Sequence, residues 1–419
     1  MNSFLPYVVI IMLLIVALGF FNERRTKLTY EIALMLFSIV IGGVVLGIHL
    51  ITKDQDTSLI VRDVLDFDLE DYLMKGVLCY MLFAGSCHMR LKDFKRQKRQ
   101  ITVLSIFATL LGAVFYGGIF YLVSLGLKLG LSLPVCLMFG SIVSPTDPIA
   151  ATSILNKFNL PEDISFLIES ESLLNDGVGV ALFVCFSGIV RASGSANFFV
   201  VFFRELFGAV VVGVAVTMLC FYIFYKTQDS ARQIFVSILA VSSAYLLCEI
   251  FDFSGAIASV VCGVLFSTLI KRFAKAGKEW QLEEYDTFWN IADNLLNSVL
   301  YVILGLTFIG ILRTPDVILV SAGAIVCNLI GRAASVGACT FFMGPIPSGF
   351  NKKNFINLMT WGGLRGALCI ALAMSTKSMI PDETYRIILG GTYAIVAFTT
   401  IVQGLTMPAV YRKINKSKL

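Results

Sequence analysis

Charge is what this chain has least of. Only 15% of its 419 residues are Asp, Glu, Lys or Arg, while 57% are hydrophobic, the reverse of what a water-facing surface needs. That composition excludes a soluble domain of any size. Histidine is nearly absent, and the two that exist, His49 and His88, stand too far apart in the chain to suggest a histidine metal site. Neither His-Glu-x-x-His nor Gly-x-Ser-x-Gly occurs, so the usual signatures of a membrane-embedded hydrolase are missing and no enzyme or cofactor is expected. The ten cysteines, Cys79 to Cys369, all fall inside apolar segments. They read as small packing residues, not as a disulfide framework.

What the chain does have is long apolar runs. Windows of about 20 residues predict an all-α polytopic membrane protein with about 13 transmembrane helices, near 4–21, 30–52, 71–89, 101–125, 132–157, 165–190, 198–225, 231–250, 254–271, 286–312, 315–342, 354–376 and 383–411. The first run has no basic residues before it and no small-residue cleavage site after it, so it is expected to stay as a span. Loops after odd-numbered segments carry Arg24, Arg25, Lys27, the run Arg90 to Arg99, and later Lys271, Arg272, Lys352 and Lys353, and the tail adds Arg412 and Lys413. Loops after even-numbered segments are poor in basic residues. The positive-inside rule then puts the N-terminus outside and the C-terminus in the cytoplasm of a plasma or bacterial inner membrane. The net charge of +5 is a topology signal, and no nucleic-acid partner is read from it. The 90–99 run reads as a topogenic loop, in contact with anionic lipid.

Two segments are interrupted. Pro145 and Pro148 each remove a backbone donor at the middle of the fifth, within Ser144-Pro145-Thr146-Asp147-Pro148. Gly362, Gly363 and Gly366 surround Arg365 at the middle of the twelfth, in Trp361-Gly362-Gly363-Leu364-Arg365-Gly366. Seven segments apart, the two cross the membrane in opposite directions. Prolines and glycines can merely kink packed helices. A matched pair, each with a charge at its break, points instead to inverted repeats with a midplane site in a secondary transporter. Asp147 can neutralise freed amides and Arg365 freed carbonyls.

The sixth segment supplies the acids, in Glu171-Ser172-Leu173-Leu174-Asn175-Asp176. Acids at membrane depth are rare and mark ion or proton paths. Glu171 and Asn175 share one helical face, and Ser172 and Asp176 another. Asp176, level with Thr146, has no basic neighbour in its own helix. Burial penalises its charged form, so it can hold either a proton or a hard cation. Asp176, Asp147, Ser172 and Thr146 could offer oxygens to a transported sodium or lithium ion. Arg332, in the eleventh segment, needs a buried partner, and Glu171 is the natural one; that pair is expected to be structural. Glu169 is expected in an interhelical or interfacial contact, Glu249 and Asp252 in solvent, and His88 as an inert interfacial residue; Asp293, early in the tenth segment, is compatible with the cytoplasmic mouth, and the sequence does not decide it.

These motifs resemble the monovalent cation:proton antiporters of the electroneutral NhaP/NHE type. The resemblance rests on Ser144 to Ala151, on Glu171 to Val178, on Gly331-Arg332, on Gly362 to Ala367, and on Val402-Gln403-Gly404-Leu405-Thr406. It implies an NhaA/NhaP-like antiporter fold, a homodimer, and a mobile core that slides against an interface domain. The core would comprise 101–190 and 313–412, the interface domain 1–100 and 191–312, with 413–419 a short tail. It also implies that Asp176 binds cation and proton in turn, with Asn175 beside it, that Thr146, Asp147 and Ser172 complete the site, and that Glu171 pairs with Arg332. The related electrogenic branch has aspartate where Asn175 stands, so one sodium (or lithium) for one proton is expected. Many members carry a glutamate in the third segment where this chain reads Leu82-Phe83-Ala84-Gly85, a departure that bears on cation preference and pH response. No regulatory domain is expected after the last helix.

Potassium/proton exchange on the same fold is the nearest alternative. A cation channel is a more distant one, since no filter-like repeat is present.

Overall fold

A hydrocarbon solvent leaves backbone groups no partner but the chain itself, so apolar runs of this length must coil. The computed structural model describes residues 4–52, 69–87, 89, 91–147, 160–191, 198–273, 279–308 and 318–416, and among them every regular element is helical. The helices are α1 (Phe4–Phe21), α2 (Tyr30–Thr52), α3 (Leu78–Cys87), α4 (Leu91–Thr102), α5 (Thr109–Gly126), α6 (Leu133–Ile142), α7 (Glu162–Val190) and α8 (Phe198–Lys226). They continue as α9 (Ser230–Ile250), α10 (Gly255–Phe273), α11 (Glu279–Thr307), α12 (Ile318–Cys339), α13 (Lys352–Trp361), α14 (Ala367–Met374), α15 (Asp382–Ala397) and α16 (Gly404–Lys416). Short π-helical stretches join α4 to α5 and α15 to α16 and lead into α3.

Nine helical stretches among the described residues are long and apolar enough to cross a membrane. The sequence windows gave about 13, and the difference has physical causes. The fifth and twelfth segments are broken: α6 stops at Ile142, and residues 143–147 continue without helix. The part of the fifth segment beyond Asp147, including Pro148, lies outside the described residues, as does His88. The twelfth segment divides into α13 and α14, separated by non-helical residues at 363–366. In α11, Asn290, Asp293, Asn294 and Asn297 interrupt the apolar run. Large apolar side chains face outward all round the bundle, among them Leu5, Ile51, Phe207 and Leu239, each more than half exposed. A surface of that kind needs lipid, not water, against it.

One expectation is overturned. Within the described residues the basic run is not a loop: residues 91–102 form α4, kinked at Gln97, which continues into the membrane-crossing stretch that ends at Gly126. No Gly or Pro interrupts it, and Lys, Arg and Gln are good helix formers. Phe94 and Ile101 turn inward onto apolar neighbours, and buried Gln97 donates its amide to the Asp163 carbonyl at 3.0 Å. Lys92, Lys95, Arg96, Lys98 and Arg99 all stay exposed. α4 is therefore an amphipathic surface helix docked on the first turn of α7.

Inside the bundle, α5 packs on both α6 and α12. Tyr116, Phe120 and Phe139 knit the α5–α6 contact, with ring centroids 5.0–5.6 Å apart. α11 lies along α2, and α10 along α3. This leaves the two breaks facing each other at the centre, where the Asp147 amide donates to the Leu364 carbonyl at 2.8 Å.

Candidate functional site

The peptide groups freed by the breaks sit inside the protein, where irregular backbone is tolerated at membrane depth. Their partners are specific. Arg365 is buried (4% exposed) and its guanidinium donates to the carbonyls of Ser144 and Pro145, the latter at 2.8 Å, and to Asn328 Oδ1 at 3.0 Å. Its own amide donates to Thr399 Oγ1 at 3.0 Å. A cation thus caps the carbonyls at the C-terminal end of α6, where the helix dipole is negative. Gly366 is what lets the breaks close up, since a Cβ there would stand 2.9 Å from Asp147 Oδ2. Gly363 likewise makes room for Arg332, whose Nε would lie 2.9 Å from such a Cβ.

α7 presents its motif to this centre on two faces. On one, Arg332 forms a bidentate pair with Glu171, at 2.9 and 3.2 Å, with exposures of 5% and 1%. Arg332 Nε also donates to the Met359 carbonyl at 3.3 Å. Asn175 carries the network across to the other break. Its Nδ2 donates to Glu171 Oε1 at 3.0 Å and to Thr146 Oγ1 at 2.7 Å, while its Oδ1 accepts the Thr146 amide at 3.1 Å. Thr146 Oγ1 is also 2.8 Å from Ser172 Oγ. Glu171, Ser172 and Asn175 are all buried; Glu171 ties α7 to α12 through Arg332, and Ser172 and Asn175 tie it to Thr146 at the first break.

Asp176 stands apart from that network. It makes no hydrogen bond or ion pair among the described residues, and Asp147 and Glu171 are the charges acting on it. It lines a cavity of about 400 Å³ together with Pro145, Thr146, Asp147 and Gly366. The structure therefore brings Asp176, Asp147 and Thr146 to one space, and sets Ser172 and Asn175 behind its wall. Pro145 packs over Gly179, one turn along α7 from Asp176.

Several residues at this site escaped the sequence analysis. Tyr301 of α11, 2% exposed, donates its hydroxyl to Asp147 Oδ2. Asn297, Asn294, Asp293 and Asn290 of the same helix line the cavity, as do Glu31 of α2 and Glu169 of α7. Glu169 is not an interfacial contact: it accepts from Ser165 Oγ at 3.3 Å and faces the cavity two turns before Asp176. The signal for α11 was present in the sequence, because residues 290, 294, 297 and 301 repeat at helical spacing and place a polar stripe on an otherwise apolar helix. Asp293 lies on this stripe and accepts Asn297 Nδ2 at 2.9 Å. Ala84 is buried among apolar neighbours, while the adjacent Gly85 lines the cavity. Glu249 and Asp252 are exposed, and Asp252 lies 3.6 Å from Arg204.

A cavity lined by five acids, reached by two broken helices, is an arrangement for passing ions. Known proteins with similar chains are consistent with that arrangement. The Na(+)/H(+) antiporter NhaP of Pseudomonas aeruginosa is 28% identical over 411 residues, which cover 95% of this chain and 94% of that one. The Na(+)/H(+) antiporter NhaH of Halobacillus aidingensis is 30% identical over 76% of this chain and 77% of its own. Among solved structures, the sodium proton antiporter MjNhaP1 from Methanocaldococcus jannaschii at pH 8 superposes with a TM-score of 0.74, at 19% identity, over 98% of both chains. The family model described as sodium/hydrogen exchanger, transmembrane, matches residues 9–413, so both breaks, the acids of α7 and Arg332 all fall inside it, and the chain belongs to that family.

Proposed function

We propose that this protein exchanges sodium (or lithium) for protons across a membrane, one for one, with Asp176 as the site the two share. The observation that carries the reading is the isolation of Asp176. Glu171 is neutralised by Arg332, whereas Asp176 faces the cavity with no hydrogen-bond or ion-pair partner among the described residues, next to Asp147 and Thr146. A monovalent hard cation there takes oxygens from Asp176, Asp147 and the Thr146 hydroxyl, with Ser172 behind Thr146. A proton takes Asp176 alone. Cation and proton therefore compete, and the site is offered to each side in turn as the core, 101–190 with 313–412, moves against the remaining helices in a homodimer. Glu31, Glu169 and Asp293 give the approach a negative field that concentrates cations. The Lys and Arg distribution supports an N-terminus outside and a C-terminus in the cytoplasm.

Charge counting supports the stoichiometry. Arg332 balances Glu171 and Asn175 carries no charge, so Asp176 is the one carboxylate of the α7 motif left to exchange a proton for a cation. One sodium ion or one proton neutralises Asp176, so the same net charge crosses on both legs. Exchange in proteoliposomes clamped with potassium and valinomycin is then expected at equal rates for opposite potentials. One moved charge would feel about 2.3 kcal/mol per 100 mV, so rates differing several-fold between polarities would end the one-for-one reading.

Tyr301 gives a second test. Its hydroxyl holds the Asp147 carboxylate in place without adding charge. Hydrogen bonds to charged groups are worth about 1.5–3 kcal/mol, so Tyr301→Phe is expected to raise the apparent KM for sodium about tenfold or more while the maximal rate is retained. An unchanged KM would show that Asp147 is not a ligand or is held by other contacts.

The activity itself is read by dequenching of a pH dye in proteoliposomes on adding sodium, lithium or potassium. Response to potassium alone would favour potassium/proton exchange. Collapse of one gradient without coupling to the other would mean a channel.

A further inference from the structure

Away from the cavity, one corner of the surface joins basic and aromatic side chains in a way the exchange reaction does not need. The exposed face of α4 carries Lys92, Lys95, Arg96, Lys98 and Arg99 against the single acid Asp93. The C-terminal end of α4 is fastened to the turn after α12, with Arg99 Nε donating to the Phe342 carbonyl at 2.8 Å and Gln100 Nε2 to the Pro345 carbonyl at 3.1 Å. Phe341 and Phe342 on that turn are 74% and 67% exposed. Lys352 at the start of α13 places its Nζ 4.9 Å from the Phe341 ring centroid. Residues 340–353 contain no acid, and Asp163, which approaches them from α7, accepts the Ser348 hydroxyl.

The depth of this corner is fixed by its neighbours. α12 is a candidate span that ends at Cys339, so the two phenylalanines begin two residues beyond it, where hydrocarbon gives way to headgroups. Two exposed aromatic rings there suit acyl chains, and the cations beside them stand at phosphate level. With Nε committed to Phe342, the guanidinium plane of Arg99 is set, and its two terminal nitrogens form the fork that binds phosphate oxygens in bidentate fashion.

We propose that this corner binds the phosphate of an anionic phospholipid headgroup, with Arg99 and Lys352 on the phosphate and Phe341 and Phe342 among the acyl chains. Lys95 and Lys98 add to the field. The basic residues of this end place it at the cytoplasmic leaflet, whose surface is negative. The proposal is independent of which ions the cavity carries. A bound lipid would join α4, α12 and α13, three elements that also hold α7, Arg332 and the second break.

The test uses the full chain in micelles, with phosphatidylglycerol and phosphatidylcholine of matched acyl chains as probes. Phosphatidylglycerol is expected to raise the melting temperature, and to be retained in native mass spectra, where phosphatidylcholine is not. Each basic residue near an anionic surface is worth roughly fivefold in affinity, so Arg99→Gln with Lys352→Gln is expected to weaken phosphatidylglycerol binding roughly 25-fold. Arg24→Gln with Arg25→Gln, at the far end of α1, is expected to leave it unchanged. Lys352→Gln alone removes no backbone contact and gives the fivefold loss should the double variant fold poorly. Equal retention of both lipids, or unchanged binding in Lys352→Gln, overturns the proposal. Equal stabilisation by millimolar inorganic phosphate would mark a soluble-anion site and overturn it too.

Discussion

Replacing Asp176 by asparagine is expected to abolish coupled exchange, to below a few per cent of the native rate, in a protein that still folds and inserts. Asparagine keeps the size of the side chain and offers an oxygen. It cannot carry the negative charge that Asp176 supplies beside the balanced pair of Glu171 and Arg332. A sodium ion entering the altered centre would meet one negative charge fewer, and no proton could be handed over in return. Stability should not fall, because among the described residues Asp176 makes no hydrogen bond or ion pair that the substitution would break, and an uncharged side chain is easier to bury. Dye dequenching in proteoliposomes reads the exchange, and a thermal melt reads the fold. Residual coupled exchange well above a few per cent, in vesicles shown to hold the variant, would move the shared site to another acid, with Asp147 first in line. A variant that fails to melt cooperatively would instead place Asp176 among the residues that hold the bundle together.

Arg332→Ala is expected to have the opposite profile, with a large loss of stability and a smaller change in apparent sodium affinity among the molecules that fold. The guanidinium makes two bonds to Glu171 and one to the Met359 carbonyl. Without it, Glu171 would keep a buried charge and the single amide of Asn175. Stranding one partner of a buried pair costs about 3–5 kcal/mol. Because Asn175 also holds Thr146, the loss spreads to the first break. Expression yield and melting temperature should both drop. Glu171→Gln with Arg332→Met, which removes both charges at once, should recover much of the stability, since apolar replacements of buried pairs are often tolerated. A stable, well-expressed Arg332→Ala with only altered affinity would favour a direct part for Arg332 in binding.

The contrast between these variants reflects what could be read from the chain alone. The breaks were legible because their causes are local: Pro145 interrupts one helix, and three glycines around Arg365 interrupt another. An arginine at membrane depth demands an acid, so a partner for Arg332 could be argued without coordinates. What periodicity could not supply was long-range geometry. Tyr301 meets Asp147 across 154 residues, and no spacing rule connects them. Nor could it separate the buried amide of Asn175 from the cavity-facing carboxylate beside it, because one residue of helical rotation decides between wall and space. Glu169 was misplaced for the same reason. α4 was misread because strong charge resembles a loop when only hydropathy is followed; its helix formers and inward Phe94, Gln97 and Ile101 told otherwise.

The burial of every thiol has a practical consequence. All ten cysteines are unpaired and buried, so the wild-type chain offers no surface nucleophile to a maleimide or methanethiosulfonate reagent. A single cysteine introduced on the outer face becomes the one labelled position without first stripping the native ten. One native thiol is placed to report on the interior: Cys369 lines the cavity, with its Sγ 3.7 Å from the Pro145 carbonyl. Its modification by a small membrane-impermeant thiol reagent, added to one side of the bilayer at a time, would chart from which face water reaches the centre in the unaltered molecule.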